Sequence, residues 1–215
     1  HQATDDGMCT VCDQPIGATE GIVYDISDDG TYALVAGYSG TATKIKIADT
    51  YQGLPVTTIY DRAFKDKTTI TSVIIPDSVT SIGNYAFYYC SSLTSVVIPD
   101  SVTSIGDSAF SGCSGLTTVT IPDGVTTIEA HAFENCSSLT SVTIGDGVTT
   151  IGMDVFNNCT SLTSATVLPV TPPDIGIGCF AVSVLLLLLC LCVLFCVSHV
   201  GSFPPYWAII IYLLC

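Results

Sequence analysis

The chain has 215 residues, enough for one sizeable domain. Its formal charge of −14 comes from 19 acids against 5 bases, and the bases Lys44, Lys46, Arg62, Lys65 and Lys67 all lie in the first third. Such a chain does not neutralise phosphate backbones, which argues against a nucleic-acid partner.

The first residue is His1 rather than Met, as expected of a fragment, a processed product or an incomplete gene model, and no signal peptide is visible. Residues 1–20 read as an irregular polar segment. They hold Cys9-x-x-Cys12, but a zinc site needs a second pair or two His, and only His1 is near. A plain tail or a local disulfide is the simpler reading, and no metal or other cofactor is expected.

Residues 21–41 change character. Ile22–Ile26 and Tyr32–Ala36 have strand composition and are joined through Ser27-Asp28-Asp29-Gly30, where Asp-Gly signals a hairpin. A solenoid needs its first rung covered, and this hairpin is placed to be the cap.

From about residue 42 to residue 180 one pattern repeats every 23 residues. Phe64, Phe87, Phe110, Phe133 and Phe156 keep that interval, as do Ile59, Ile82, Ile105, Ile128 and Ile151. So do Cys90, Cys113, Cys136 and Cys159. A fixed period of this length marks a solenoid, whose units bury their apolar faces on one another. Within the unit Leu93–Cys113, Val96 and Ile98 have strand spacing, Pro99-Asp100-Ser101 is a turn, and Val102–Ile105 allows a second short strand. Asp107-Ser108-Ala109-Phe110 reads as one capped helical turn. The strand pairs Ile45/Ile47, Val73/Ile75, Val96/Ile98, Val119/Ile121, Val142/Ile144 and Ala165/Val167 make six rungs, the last one imperfect. The expected architecture is a β-rich solenoid. The cysteine column suits buried thiols, because stacked parallel side chains rarely meet the disulfide dihedral.

Residues 181–215 form a hydrophobic tail. The stretch Cys179–Val197 carries no charge, and as a helix it would measure about 28 Å, close to the ~30 Å of a bilayer core. It reads as a membrane anchor. The same abrupt start on a half-finished rung, without linker or basic flank, also fits a frameshifted gene end. Orientation is not encoded, because no Lys or Arg follows Lys67.

The repeated string Leu-x-x-Val-x-Ile-Pro-Asp-x-Val-Thr-x-Ile-Gly-x-x-Ala-Phe-x-x-Cys resembles the BspA-like subclass of leucine-rich repeats over residues 42–180. The usual Asn ladder after the strand is absent, and Asp100-Ser101 stands in its place. The resemblance implies a secreted or surface-attached protein with an adhesion role, and a protein, matrix or cell-surface ligand as partner.

Catalytic chemistry is not expected. His131 and Asp154 share a column one repeat apart, yet no nucleophile or oxyanion donor accompanies them. Asp77, Asp100, Asp123 and Asp146 recur at the turns, one carboxylate per unit, where a calcium site wants six to eight oxygens. Two surfaces are candidates for binding. One is the cluster Tyr85, Tyr88 and Tyr89, since exposed tyrosines favour interfaces. The other is the uncharged strand face with Thr94, Thr117, Thr118, Thr120, Thr140 and Thr143, whose simplest explanation is β-propensity. The functional expectation is a binding or adhesion module. The alternatives are a passive spacer holding another segment away from a membrane, and ice or carbohydrate-surface binding by the Thr-rich face.

Overall fold

The computed structural model describes Met8, Pro15 and residues 17–167 and 174–176. Among these residues, alternating apolar positions and turn chemistry give fifteen short strands. In chain order these are β1 (Ile22–Ile26), β2 (Ala33–Tyr38), β3 (Lys44–Lys46), β4 (Thr50–Tyr51), β5 (Leu54–Ile59), β6 (Ser72–Ile74), β7 (Ser81–Ile82) and β8 (Ser95–Val97). They continue with β9 (Ser104–Ile105), β10 (Thr118–Ile121), β11 (Thr127–Ile128), β12 (Ser141–Ile144), β13 (Thr150–Ile151), β14 (Ser164–Val167) and β15 (Asp174–Ile175). Each rung supplies two strands, one to each of two sides. On one side the order β1-β2-β5-β7-β9-β11-β13-β15 is continuous, with β4 paired to β5. On the other, β3-β6-β8 and β10-β12-β14 form two separate three-stranded sheets. Pairing between rungs is parallel and in register, as in Val73↔Val96 and Ile105↔Ile128.

The hairpin is the cap. Strands β1 and β2 pair antiparallel, and β2 then joins β5 in parallel, Val35 opposite Ile59. Asp29 shapes the turn by accepting hydrogen bonds from the Ser27 and Thr31 hydroxyls at 2.6 and 2.8 Å, which holds its carboxyl below the usual value. The other side is capped by one residue. Thr19 donates its N–H to Lys46 O at 2.9 Å, and its hydroxyl accepts the Lys46 N–H at 2.7 Å, which covers the edge of β3.

The repeat's regular columns become ladders. Phe64, Phe87, Phe110, Phe133 and Phe156 are fully buried, and successive rings stack at 5.0, 5.0, 5.2 and 5.5 Å. Cys90, Cys113, Cys136 and Cys159 are buried free thiols. Each donates to the carbonyl of the phenylalanine one rung earlier, Cys113 Sγ to Phe87 O at 3.2 Å for example. Threonine hydroxyls do the same at the surface, from Thr71 to Thr43 O, Thr94 to Thr71 O, Thr117 to Thr94 O and Thr140 to Thr117 O.

The stretch expected as a single helical turn differs. Residues 107–112 and their equivalents are a run of turns, not helix. Alternate N–H groups leave the rung: Tyr85, Phe87 and Tyr89 donate to Asp107 O, Ala109 O and Ser111 O of the next one. The residues between them bond back three positions, as Tyr88 N–H does to Tyr85 O. This alternation requires left-handed backbone at Arg62, Tyr85, Ser108, His131 and Asp154, and again at Asp66, Tyr89, Gly112, Asn135 and Asn158. A helix would have satisfied the rung locally; the turn run instead ties each rung to its neighbour.

The turn after each strand has two solutions. Rung 3 uses Ser101, whose hydroxyl donates to Val79 O at 2.6 Å. Rungs 4 and 5 use Gly124 and Gly147, whose backbones approach so closely that an added Cβ would lie 1.7 Å from Asp100 O and 1.8 Å from Asp123 O. Between β8 and β10 no ladder forms, and the Thr117 N–H reaches Thr94 O at 3.4 Å, against 2.8 Å for Thr140 N–H to Thr117 O.

Two substitutions test the stacking. Phe110→Ala empties the middle of the ring column and is expected to cost about 3–5 kcal/mol, read as a lower urea midpoint. Gly124→Ala in an unstrained site would stabilise by up to about 1 kcal/mol. Here the Asp100 carbonyl occupies the methyl position, so the melting temperature is expected to fall.

Candidate binding surface

The turn column sets three residues of each rung in line with those of the next. In rung 1 they are Arg62, Lys65 and Asp66, in rung 2 Tyr85, Tyr88 and Tyr89, and in rung 3 Ser108, Ser111 and Gly112. Rung 4 has His131, Glu134 and Asn135. Tyr85 and Tyr88 are half-buried, and Tyr89 is 47% exposed. The rings meet edge to face, Tyr85 to Tyr88 at 5.4 Å and Tyr88 to Tyr89 at 4.6 Å. Arg62 lies 5.4 Å from the Tyr85 ring centroid, and Lys65 Nζ the same distance from that of Tyr88. Such cation–π contacts at a surface are worth about 0.5–1 kcal/mol each.

The small residues of rung 3 answer the large ones of rung 2. A Cβ on Gly112 would sit 3.1 Å from the Tyr89 ring, and Ser108 and Ser111 are buried. The tyrosines therefore have packing partners, which their outward position in the repeat does not disclose. Partial burial is the main cause that raises the Tyr88 phenol above its ordinary value; Tyr89, Tyr85, Asp66 and Glu134 add to it. Sequence alone does not single out Arg62, Lys65 and Gly112, although they share the tyrosines' columns one rung to either side.

The threonine candidates stand elsewhere. Thr118 and Thr120 are exposed on β10, and Thr143 is half-buried on β12. Thr94, Thr117 and Thr140 are exposed, but their hydroxyls serve the inter-rung ladder. The tyrosines belong to the turn column and the threonines to the strand side, so the fold does not gather the two sets into one site. His131 does not pair with Asp154: its Nδ1 lies 3.3 Å from Glu134 Oε2 in its own turn, and only its backbone N–H crosses to the next rung, to Met153 O. Among the described residues no three His, Cys, Asp or Glu are grouped to hold a metal ion, and no helix is long and apolar enough to cross a membrane. Cys9, Cys12 and the proposed anchor Cys179–Val197 lie outside the described residues.

Residues 57–185 match the model of the BspA type leucine-rich repeat region in six copies. The chain belongs to that family. No curated protein matches it. Among solved structures it is similar to a leucine-rich repeat protein from Bacteroides ovatus, with 31% identity and a TM-score of 0.64 over 75% of this chain and 44% of that one. It is also similar to a leucine rich cell surface protein from Faecalibacterium prausnitzii, with 33% identity and a TM-score of 0.65 over 77% of this chain and 52% of that one. This BspA-type chain thus spans about half the length of those two proteins. The T. pallidum leucine rich repeat protein, 23% identical with a TM-score of 0.63, shares the fold.

The thiol column yields a prediction. Burial pushes the Cys90 thiol up to about 12 and Cys113 well above its ordinary value. The neighbouring Cys159 thiol and then burial raise Cys136 well above its ordinary value. Raised acids keep their full contribution below the unfolded value, here 9.0, and lose it as pH rises toward about 12. The urea midpoint is expected to fall across that window. At neutral pH, peptide mapping after alkylation should find these cysteines unmodified in the native protein and modified in urea.

Proposed function

We propose that the chain is a cell-surface or secreted binding module with an adhesion role, and that a macromolecular partner docks on Tyr85, Tyr88 and Tyr89. Membership of the BspA-type family and the likeness to a cell surface protein support the location. The partner expected is a protein or an extracellular-matrix or cell-surface ligand rather than nucleic acid or a catalytic substrate.

One observation carries the choice of surface. Tyr85 and Tyr89 have φ of 57° and 55°, backbone that bulky residues rarely adopt. The second of these columns holds Gly112, Asn135 and Asn158 in rungs 3 to 5, residue types that tolerate this conformation. At Tyr89 rung 2 carries a bulky ring in a strained position where rungs 3 to 5 show cheaper solutions. Strain retained in this way points to a use for the rings.

Replacing all three tyrosines by Ser is expected to weaken binding to cells or matrix by about thirtyfold, the loss typical of an interface hot spot. Because Tyr85 and Tyr88 are half-buried, the single change Tyr89→Ser is the control for folding, with circular dichroism checked for both. Equal binding by the altered and native chains would move the contact to the Thr/Ser strand face. Absence of binding by either would favour a passive spacer.

A further inference from the structure

The strand face of rungs 1–3 has two properties that the fold does not demand. Its outward positions are Lys44, Lys46, Ser72, Ile74, Ser95 and Val97. Ile74 is 60% exposed and Val97 73%, the two most exposed large hydrophobic residues among those described. They are direct neighbours in one parallel column, Lys46↔Ile74↔Val97. Rungs 4–6 fill the equivalent column with Thr120, Thr143 and Thr166. The chain's own later rungs therefore show that a polar β-branched residue suffices there, and strand propensity, which Thr shares with Ile and Val, does not require an apolar pair.

The second property is charge. On a chain with 19 acids and 5 bases, no Asp or Glu occupies an outward position on β3, β6 or β8, while two of the five bases do. Asp49, Asp77 and Asp100 lie past the strand ends in the turns, and Glu20 lies beyond Thr19 on the capping segment. At physiological salt the screening length is about 8 Å, so a docked ligand responds to the local lysines more than to the net charge. The column then runs from cationic in rung 1 to apolar in rungs 2 and 3.

We infer that this face docks an acidic polypeptide segment, with apolar side chains over Ile74 and Val97 and carboxylates against Lys44 and Lys46. Apolar contact selects a polypeptide over a polysaccharide, because removal of Ile and Val methyls from water needs an apolar partner. The surface is separate from the tyrosine column, so its occupant need not be the ligand proposed above.

The probe is a short labelled peptide in which a Leu-Leu pair is followed by a run of Glu, titrated against the full chain by fluorescence anisotropy. Two control peptides replace the Glu run by Lys, or the Leu pair by Ser. Only the first peptide is expected to bind well, with each control about tenfold weaker or worse. Ile74→Thr with Val97→Thr copies rungs 4 and 5 and should weaken binding about tenfold. Lys44→Gln with Lys46→Gln should weaken it and flatten its salt dependence. Met153→Ser, at an exposed apolar residue away from this strand face, should leave it unchanged. Should the double Thr change disturb folding by circular dichroism, Val97→Thr alone serves the same purpose. Equal binding of the three peptides, no binding of the first, or indifference to the strand substitutions overturns the inference. So does a native dimer that Ile74→Thr/Val97→Thr converts to monomer in sedimentation, since a second copy would then cover the face.

Discussion

Everything in this structure depends on one constraint: each rung must meet the next at the spacing of a backbone hydrogen bond. That spacing is about 4.7–4.9 Å between paired strands. The phenylalanine rings stack slightly wider than that, from 5.0 to 5.5 Å. A column can hold only side chains that stack at that distance, so its occupant is nearly invariant: Phe, Cys, Ile or Ala by position. The thiols fit the same rule. A cysteine is small enough for its column, and its S–H supplies a donor to the carbonyl of the preceding phenylalanine. Where backbones come closer still, at Gly124 and Gly147, a side chain is lost altogether.

The same constraint decides what the sequence discloses. The 23-residue interval reveals the inward columns, because repetition is the physical requirement of stacking. Solenoid and rung count follow from it, and the cap from the Asp-Gly hairpin that precedes the repeats. The turn run escapes, because Asp107-Ser108-Ala109-Phe110 has the composition of a helix start while every second N–H bonds to another rung. Local propensity cannot see a partner 23 residues away, such as Asn84 Oδ1, which accepts the Asp107 N–H at 2.8 Å. The tyrosine cluster is half legible. Its outward placement follows from the register. Its packing does not, because Gly112 under the Tyr89 ring and Lys65 over the Tyr88 ring belong to different rungs.

Outward columns face no stacking requirement of comparable strength, so their contents carry other information. Threonine is the neutral choice: it favours a strand, and its hydroxyl adds a bond to the rung before, as Thr140 does with Thr117 O at 3.0 Å. Long runs of Thr and Ser along rungs 4–6 are what stacking alone would produce. A departure from that pattern costs regularity and asks for a separate cause.

The departures cluster at one end. All five bases, the three turn-column tyrosines and the exposed Ile74–Val97 pair belong to rungs 1–3. From residue 71 to residue 167 there is no Lys or Arg at all. The two strand-side sheets also divide at this boundary, between β8 and β10. A solenoid built by uniform repetition would spread such features evenly along its axis. Their concentration beside the cap separates the chain into an individual half and a regular half. The regular half lengthens the stack and buries the lower edge of rung 3, while the individual half carries the residues that stacking leaves unexplained. The residues proposed above for docking therefore all belong to the first three rungs, on two sides of the same coil.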